Sequence, residues 1–269
     1  MDKLNNKDIL KTSLNSDGIL RLSLNNPDNQ NTLSEDMMLN LQSALNESIQ
    51  DKKTRVIIIS AEGPIFSAGH DLKELESKRQ NSDKGKAYFY DVMTKCSKLM
   101  QTIVKNPKPV IAEVAGIATA AGCQLVASCD LAYAGKSSKF ATPGVNIGLF
   151  CSTPMVALSR NITNKHSMEM LLTGDLISPD KAVEIGLINQ AVKDESLQKT
   201  VLDVALKISK KSAMTLKIGK EAFYNQLDMS LSEAYEYASN VMVQNMLKID
   251  AEEGIDAFIN KRKPKWKDQ

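Results

Sequence analysis

The sequence predicts an α/β core followed by an α-helical region, and three observations carry that expectation. Short apolar runs of strand type recur through the first half, and small-residue turns lead from them into helices. From about Ser152 onward the pattern becomes helix after helix. No Pro/Ser-rich linker or low-complexity stretch interrupts the chain, so the two regions read as 1–200 for the core and 201–269 for a C-terminal helical region.

The elements follow in order. GILRLSLNN (18–26) alternates apolar and polar residues and reads as a strand. TLSEDMMLNLQSALNESIQ carries a capping-box pattern, Thr32 with Glu35, ahead of apolar residues at 38, 41, 45 and 49, the spacing of an amphipathic helix. RVIIIS (55–60) is a β-branched run of buried-strand type. EGPIFSAGHDLKEL turns and enters a helix, and a polar segment (76–86) leads to a long helix through MTKCSKLMQTI. KPVIAEVAG (108–116) is the next strand, ATAAGCQLVASCD a turn into a buried helix, and LAYAG and SKFATPGVNIG bring more strand and loop. Helices are expected at 153–160, 166–172, 179–185, 194–210, 214–226, 231–249 and 252–260. Ser178-Pro179 supplies cap and first position for the third of these.

Composition narrows the function classes. The 269 residues are 42% hydrophobic and 25% charged with a net charge of +2, ordinary for a globular protein. That balance gives no whole-molecule field toward nucleic acid, and at 5% aromatic residues there is no aromatic-rich basic motif. No apolar run approaches the roughly 18 residues of a membrane span. The segment MDKLNNKDILKTSLNSDG lacks a signal-peptide core and is not transit-like, so a cytoplasmic location is expected. Cysteines at 96, 123, 129 and 151 include no C-x-x-C pair and read as reduced buried thiols. The two histidines, 70 and 166, are isolated, so no metal ligand set is visible.

Two segments share one form: FSAGHDL (66–72) and VAGIATAAGCQL (114–125) each read as strand, small-residue turn, helix start. At such a junction the first helical N–H groups have no intrahelical partner, and the helix dipole adds partial positive charge. Small residues let a ligand approach the backbone. Two such donors aimed at one point would hold an oxyanion.

These motifs resemble the crotonase (enoyl-CoA hydratase/isomerase) superfamily over nearly the whole chain. The carriers are GPIFSAGHDLKEL, KPVIAEVAGIATAAGCQLVASCDLAYA, FATPGVNIGL, LLTGDLISPDKAVEIGLINQAV and EGIDAFINKRKPKW, in the family's order. The likeness is closest to the enoyl-CoA hydratase domain-containing branch. It implies a ββα-spiral core, a homotrimer or dimer of trimers, acyl-CoA thioester substrates, and no cofactor beyond the CoA of the substrate. By motif, the two oxyanion-hole amides fall on His70 and Ala121. Ala68 and His70, Asp71, Leu72 and Lys73 would line the CoA channel. Lys261, following Phe258, matches a lysine near the CoA phosphates, and Met242 would edge the adenine pocket of a neighbouring subunit.

The pattern then breaks. Hydratases of the family use two glutamates, and here those positions are Gln124 and Gly144. A glutamine amide cannot accept a proton near neutral pH, and glycine has no group to offer. Asp71, Glu74 and Glu113 read as capping or solvated charges rather than replacements. Three classes stay open: a weak hydratase or isomerase using water held by Gln124, Ser152 or Thr153; a decarboxylase of malonyl- or methylmalonyl-CoA type; and a non-catalytic acyl-CoA binder. The SAGHD turn resembles the decarboxylase form, but Cys151 stands about where that enzyme's tyrosine ring would be. Cys151 beside an oxyanion hole could also be a nucleophile, although an inert buried thiol is the simpler reading.

Overall fold

A computed structural model describes residues 9–269. Two strands open it as an antiparallel hairpin, β1 (Leu10–Leu14) and β2 (Ile19–Leu24). Four parallel strands extend the sheet: β3 (Val56–Ala61), β5 (Val110–Val114), β7 (Leu131–Gly135) and β9 (Gln190–Val192), giving the order β1-β2-β3-β5-β7-β9. Three short strands, β4 (Ile65–Ser67), β6 (Ile117–Thr119) and β8 (Lys139–Ala141), form a second parallel sheet in the order β4-β6-β8. The chain thus gives one strand to the large sheet, the next to the small sheet, and then returns through helices. Three repeats of that step make a ββα spiral, and each small-sheet strand ends beside the previous one. This stacking brings turns far apart in sequence to one edge.

The β-branched run at 56–61 explains how the large sheet is covered. Ile57 and Ile59 join the main apolar core, while Val56 and Ile58 join a second cluster on the opposite face. A strand buried on both sides reads as a continuous apolar run rather than an alternation. On the main-core side lie α1 (Glu35–Gln50), α3 (Lys86–Lys105) and α4 (Ala121–Ser128), with the short α2 (Leu72–Ser77) at the rim. The small-sheet turns lead into α5 (Pro154–Asn161), α6 (Asn164–Thr173) and α7 (Pro179–Glu184). The second face is covered by α8 (Leu197–Ser209), which buries Leu197, Val201 and Ala205 against the sheet. The boundary expected at residue 200 therefore falls inside a helix that packs on the core.

The remaining helices are α9 (Ala213–Gln226), α10 (Leu231–Met246) and α11 (Ile249–Ile259). One buried group fastens α9 to the core. The Lys220 ammonium donates to the Asp130 carboxylate (2.6 Å) and to the carbonyls of Ile103 (3.0 Å) and Lys108 (3.1 Å). The Tyr224 hydroxyl donates to the other Asp130 oxygen at 2.9 Å, and the Val110 N–H completes the set at 2.7 Å. By contrast, α10 buries none of its residues in this chain, leaving Tyr235, Met242, Val243 and Met246 exposed.

Three local expectations need correction. The cap of α1 is Ser34, whose hydroxyl accepts the Met37 N–H; Thr32 instead accepts from the Asn29 amide, 2.9 Å away. Glu35 does not close a box but pairs with Lys95. The edge strand β1 was not anticipated because Leu10 is its only buried residue, and β9 because three residues carry no period. Among the described residues no helix is long and apolar enough to cross a membrane. All four cysteines are free and buried, and no group of three or more metal-ligating side chains occurs among the described residues.

Candidate functional site

The two small-residue turns meet. Residues 68–71 connect β4 to α2, and residue 120 connects β6 to α4. A Cβ added to Gly69 would lie 2.9 Å from the Ala120 Cβ and 3.1 Å from the Ala121 nitrogen. A Cβ on Gly122 would lie 2.3 Å from the Ser67 carbonyl oxygen. The backbones of the two turns therefore touch, and only glycine allows it at these two points. Hydrogen bonds fix the first turn from both sides. Leu33 N–H donates to Gly69 O (2.7 Å), Ala68 N–H to Gln30 O (3.1 Å), and the Thr119 hydroxyl to Ala68 O (3.2 Å).

The amides of His70 and Ala121 have no acceptor among the described residues. Ala121 is the first residue of α4, so its N–H is one of the helix's orphan donors, at the positive end of the dipole. Ala120 orients it by taking φ 50° and ψ −120°, a conformation favoured by glycine. This strain was not read from the sequence, where Ala120 looks like one more small residue. Ala120→Gly is expected to stabilise the fold by about 1 kcal/mol, the relieved strain less the added chain entropy. Thermal unfolding should show a rise of roughly 2–4 °C; a fall would mean that the Ala120 methyl matters more than its torsion.

Both His70 ring nitrogens are enclosed and have no hydrogen-bond partner. Burial pushes the ring's pKa below its ordinary value, opposed only by the neighbouring Leu33 backbone, so the ring is neutral at pH 7.

A cavity of about 630 Å³ opens at these two turns. His70 and Ala121 line it, together with Ala68, Asp71, Leu72 and Lys73 from the first turn. Gly144 and Cys151 line another wall. Leu75, Met93, Asn146, Leu149 and Phe150 also line it; none was foreseen, because only the fold brings α2, α3 and the 143–151 loop together. Met242, Phe258 and Lys261 are not brought to the cavity within one chain. Met242 is 60% and Phe258 85% exposed, on α10 and α11.

Two carboxylates line the cavity, Asp71 and the exposed Asp28, and neither family glutamate position supplies one. Gln124 is buried in α4 with its side-chain oxygen facing the Cys96 thiol at 3.9 Å, away from the lining. Position 144 has no room for a side chain: a Cβ there would lie 2.6 Å from the Leu149 carbonyl oxygen and 2.9 Å from Cys151 Sγ. The turn is closed by Leu149 N–H donating to Gly144 O at 2.9 Å. Burial pushes the Cys151 thiol up, against a weaker opposite pull from the Gly144 backbone, so it stays protonated and is a poor nucleophile. Asp71 is committed: one oxygen caps Lys73 N–H (2.9 Å) and Glu74 N–H (3.2 Å), and the other accepts from Asn29 (2.6 Å). Glu74 accepts from Glu35 N–H at 3.1 Å, and Glu113 is held by Arg21 through two bonds of 2.6 and 2.9 Å. The second histidine, His166, sits on α6 with its N–H on the Thr163 hydroxyl and its ring 3.7 Å from Glu169.

Comparison with known proteins bears on the family and the fold. The family model described as enoyl-CoA hydratase/isomerase matches residues 15–269. A Xenopus laevis protein named enoyl-CoA hydratase domain-containing protein 3, mitochondrial, is 50% identical over 249 residues, covering 93% of this chain and 83% of the relative. The crystal structure of the human enoyl coenzyme A hydratase domain-containing protein 3 superposes with a TM-score of 0.91 at 48% identity, covering 96% of this chain and all of that one. A Mycobacterium smegmatis enoyl-CoA hydratase structure gives 0.91 at 41% identity, covering 96% and 98%. The fold is thus the crotonase fold. The cytoplasmic expectation is overturned: the Xenopus and human relatives are both named mitochondrial. The reading failed because it rested on the composition of one stretch, a weak guide to location.

Proposed function

The chain belongs to the enoyl-CoA hydratase/isomerase family, and on that premise we propose that it binds an acyl-CoA thioester with the carbonyl oxygen held by the amides of His70 and Ala121. The observation that carries this reading is the contact between the two turns at Gly69 and Gly122. That contact brings residues 69 and 120–122 together, which supports a reading in which the His70 and Ala121 amides serve one ligand atom. Negative charge gathering on a thioester oxygen as an enolate forms would be stabilised there, by about 3–4 kcal/mol for one such donor. Residues 68 and 70–73 line the mouth on the side expected for CoA, and the CoA arrives with the substrate. Met242, Phe258 and Lys261 face outward and would complete the CoA site of a neighbouring subunit in a homotrimer or dimer of trimers. The names of the relatives support a mitochondrial location.

Proton transfer is the weak part: of the two lining carboxylates, Asp71 is engaged as a helix cap and Asp28 is exposed to solvent. Ser152 and Thr153 line the cavity and can hold a water, but neither accepts a proton at neutral pH. General acid–base help contributes about 10²–10⁴-fold per group. Hydration of crotonyl-CoA by the purified protein is therefore expected to run at least about a hundredfold slower than in relatives with both glutamates. A rate equal to theirs would sink the reading. Gln124→Glu with Gly144→Glu is not expected to restore the rate, because the Leu149 carbonyl blocks a side chain at 144.

A second reading is favoured by the same closed turn. Loss of CO2 from a malonyl-type thioester leaves the bonding electron pair on the α-carbon, so the enolate forms with no base. Release of CO2 from malonyl- or methylmalonyl-CoA tests it. Tight thioester binding with no turnover of either substrate would favour a binder.

A further inference from the structure

We infer that this cavity takes thioesters carrying an extended apolar acyl chain rather than short or polar acyl groups; the inference rests on the acyl-CoA reading above. The observation is the exposure of large apolar side chains around one opening. Ile147, Leu149 and Phe150 all line the cavity, yet they are 58%, 50% and 41% exposed. Leu75 and Met93 continue the apolar surface inward, both half-buried. Apolar residues scattered singly over a surface need no explanation, but a group converging on one opening marks a binding surface.

The cause is the turn that excludes a side chain at position 144. Because Leu149 N–H closes on Gly144 O, residues 145–149 fold back on themselves, and the chain continues at the cavity edge through Phe150. Where a carboxylate would otherwise reach inward, this chain places Ile147, Leu149 and Phe150 at the mouth. The occupant is argued from continuity. The apolar mouth and the two free amides belong to one cavity, so a chain attached to the thioester carbonyl runs along it. The mouth is open rather than capped, so contact continues as the chain grows, and a short acyl group would leave the rim exposed to water.

The test is calorimetric titration of the full chain with CoA and with acetyl-, butyryl-, octanoyl- and decanoyl-CoA. A fully buried methylene is worth about fourfold in affinity, and roughly twofold where half its surface stays wet. Affinity is therefore expected to rise about sixtyfold from butyryl- to decanoyl-CoA. The double variant Ile147→Ser, Phe150→Ser should flatten that slope. Equal affinity for butyryl- and decanoyl-CoA would overturn the inference and leave the thioester reading standing. A slope that persists in the double variant, or a change of oligomeric mass in place of a change of slope, would overturn it by assigning the rim to a subunit contact. Failure of every thioester to bind would remove both the inference and the reading beneath it.

Discussion

Ala121→Pro is expected to weaken binding of an enolate-mimicking thioester by about 10²–10³-fold, the usual effect of deleting one oxyanion donor. Ala121 is the first residue of α4, where proline is well tolerated because its missing N–H has no intrahelical acceptor. The change removes the donor, but Ala120 at φ 50° and ψ −120° lies outside the range favoured before proline, so an ester in place of the amide is the cleaner deletion. A thermal midpoint within a few degrees of the parent's would show that α4 still forms. Replacing Ala121 by lactic acid, which exchanges the N–H for an ester oxygen without adding a ring, removes the same donor by another route. Should either protein bind the analogue within threefold of the parent, the Ala121 amide is not part of the site.

The second large effect is on stability. Lys220→Met is expected to cost about 3–5 kcal/mol, because it strands the Asp130 carboxylate in the interior with only Tyr224 and Val110 to donate to it. Thermal unfolding should fall by roughly 10 °C. The pH dependence carries a sign. Burial already raises the pKa of Asp130 while Lys220 opposes that rise, so removing Lys220 raises it further. A carboxyl that binds its proton more tightly folded than unfolded makes stability fall as pH rises through the window between the two pKa values. The deficit of the variant should therefore be smaller at pH 5 than at pH 8. A deficit that is constant or larger in acid would mean that Asp130 stays ionised without its partner.

Much of this arrangement was legible in the residues, for physical reasons that differ from place to place. The β-branched run at 56–61, the caps at Ser178 and Asp71, and the two small-residue turns each declare themselves through local chemistry. Position 70 could be assigned to its backbone, but the burial of the ring beside Leu33 depends on a loop some forty residues earlier. The absence of carboxylates at 124 and 144 was visible as letters. That Leu149 and Cys151 fill the space in front of residue 144 was not, since it follows from how one loop closes. Ser34 takes the cap from Thr32 because Thr32 is engaged by Asn29, a competition between neighbours with equivalent side chains. Ala120 carries its strain invisibly, because an alanine at φ 50° is spelled like any other.

The central claim is that two main-chain donors hold the thioester oxygen in a cavity that lacks a carboxylate at either of positions 124 and 144. The most direct measurement is a crystal structure with a non-hydrolysable acyl-CoA enolate mimic. The account predicts the mimic's oxygen at about 2.7–3.1 Å from the nitrogens of both His70 and Ala121, with no carboxylate in hydrogen-bond reach of its α- or β-carbon. An oxygen bonded elsewhere, or an Asp or Glu side chain beside those carbons, would contradict it.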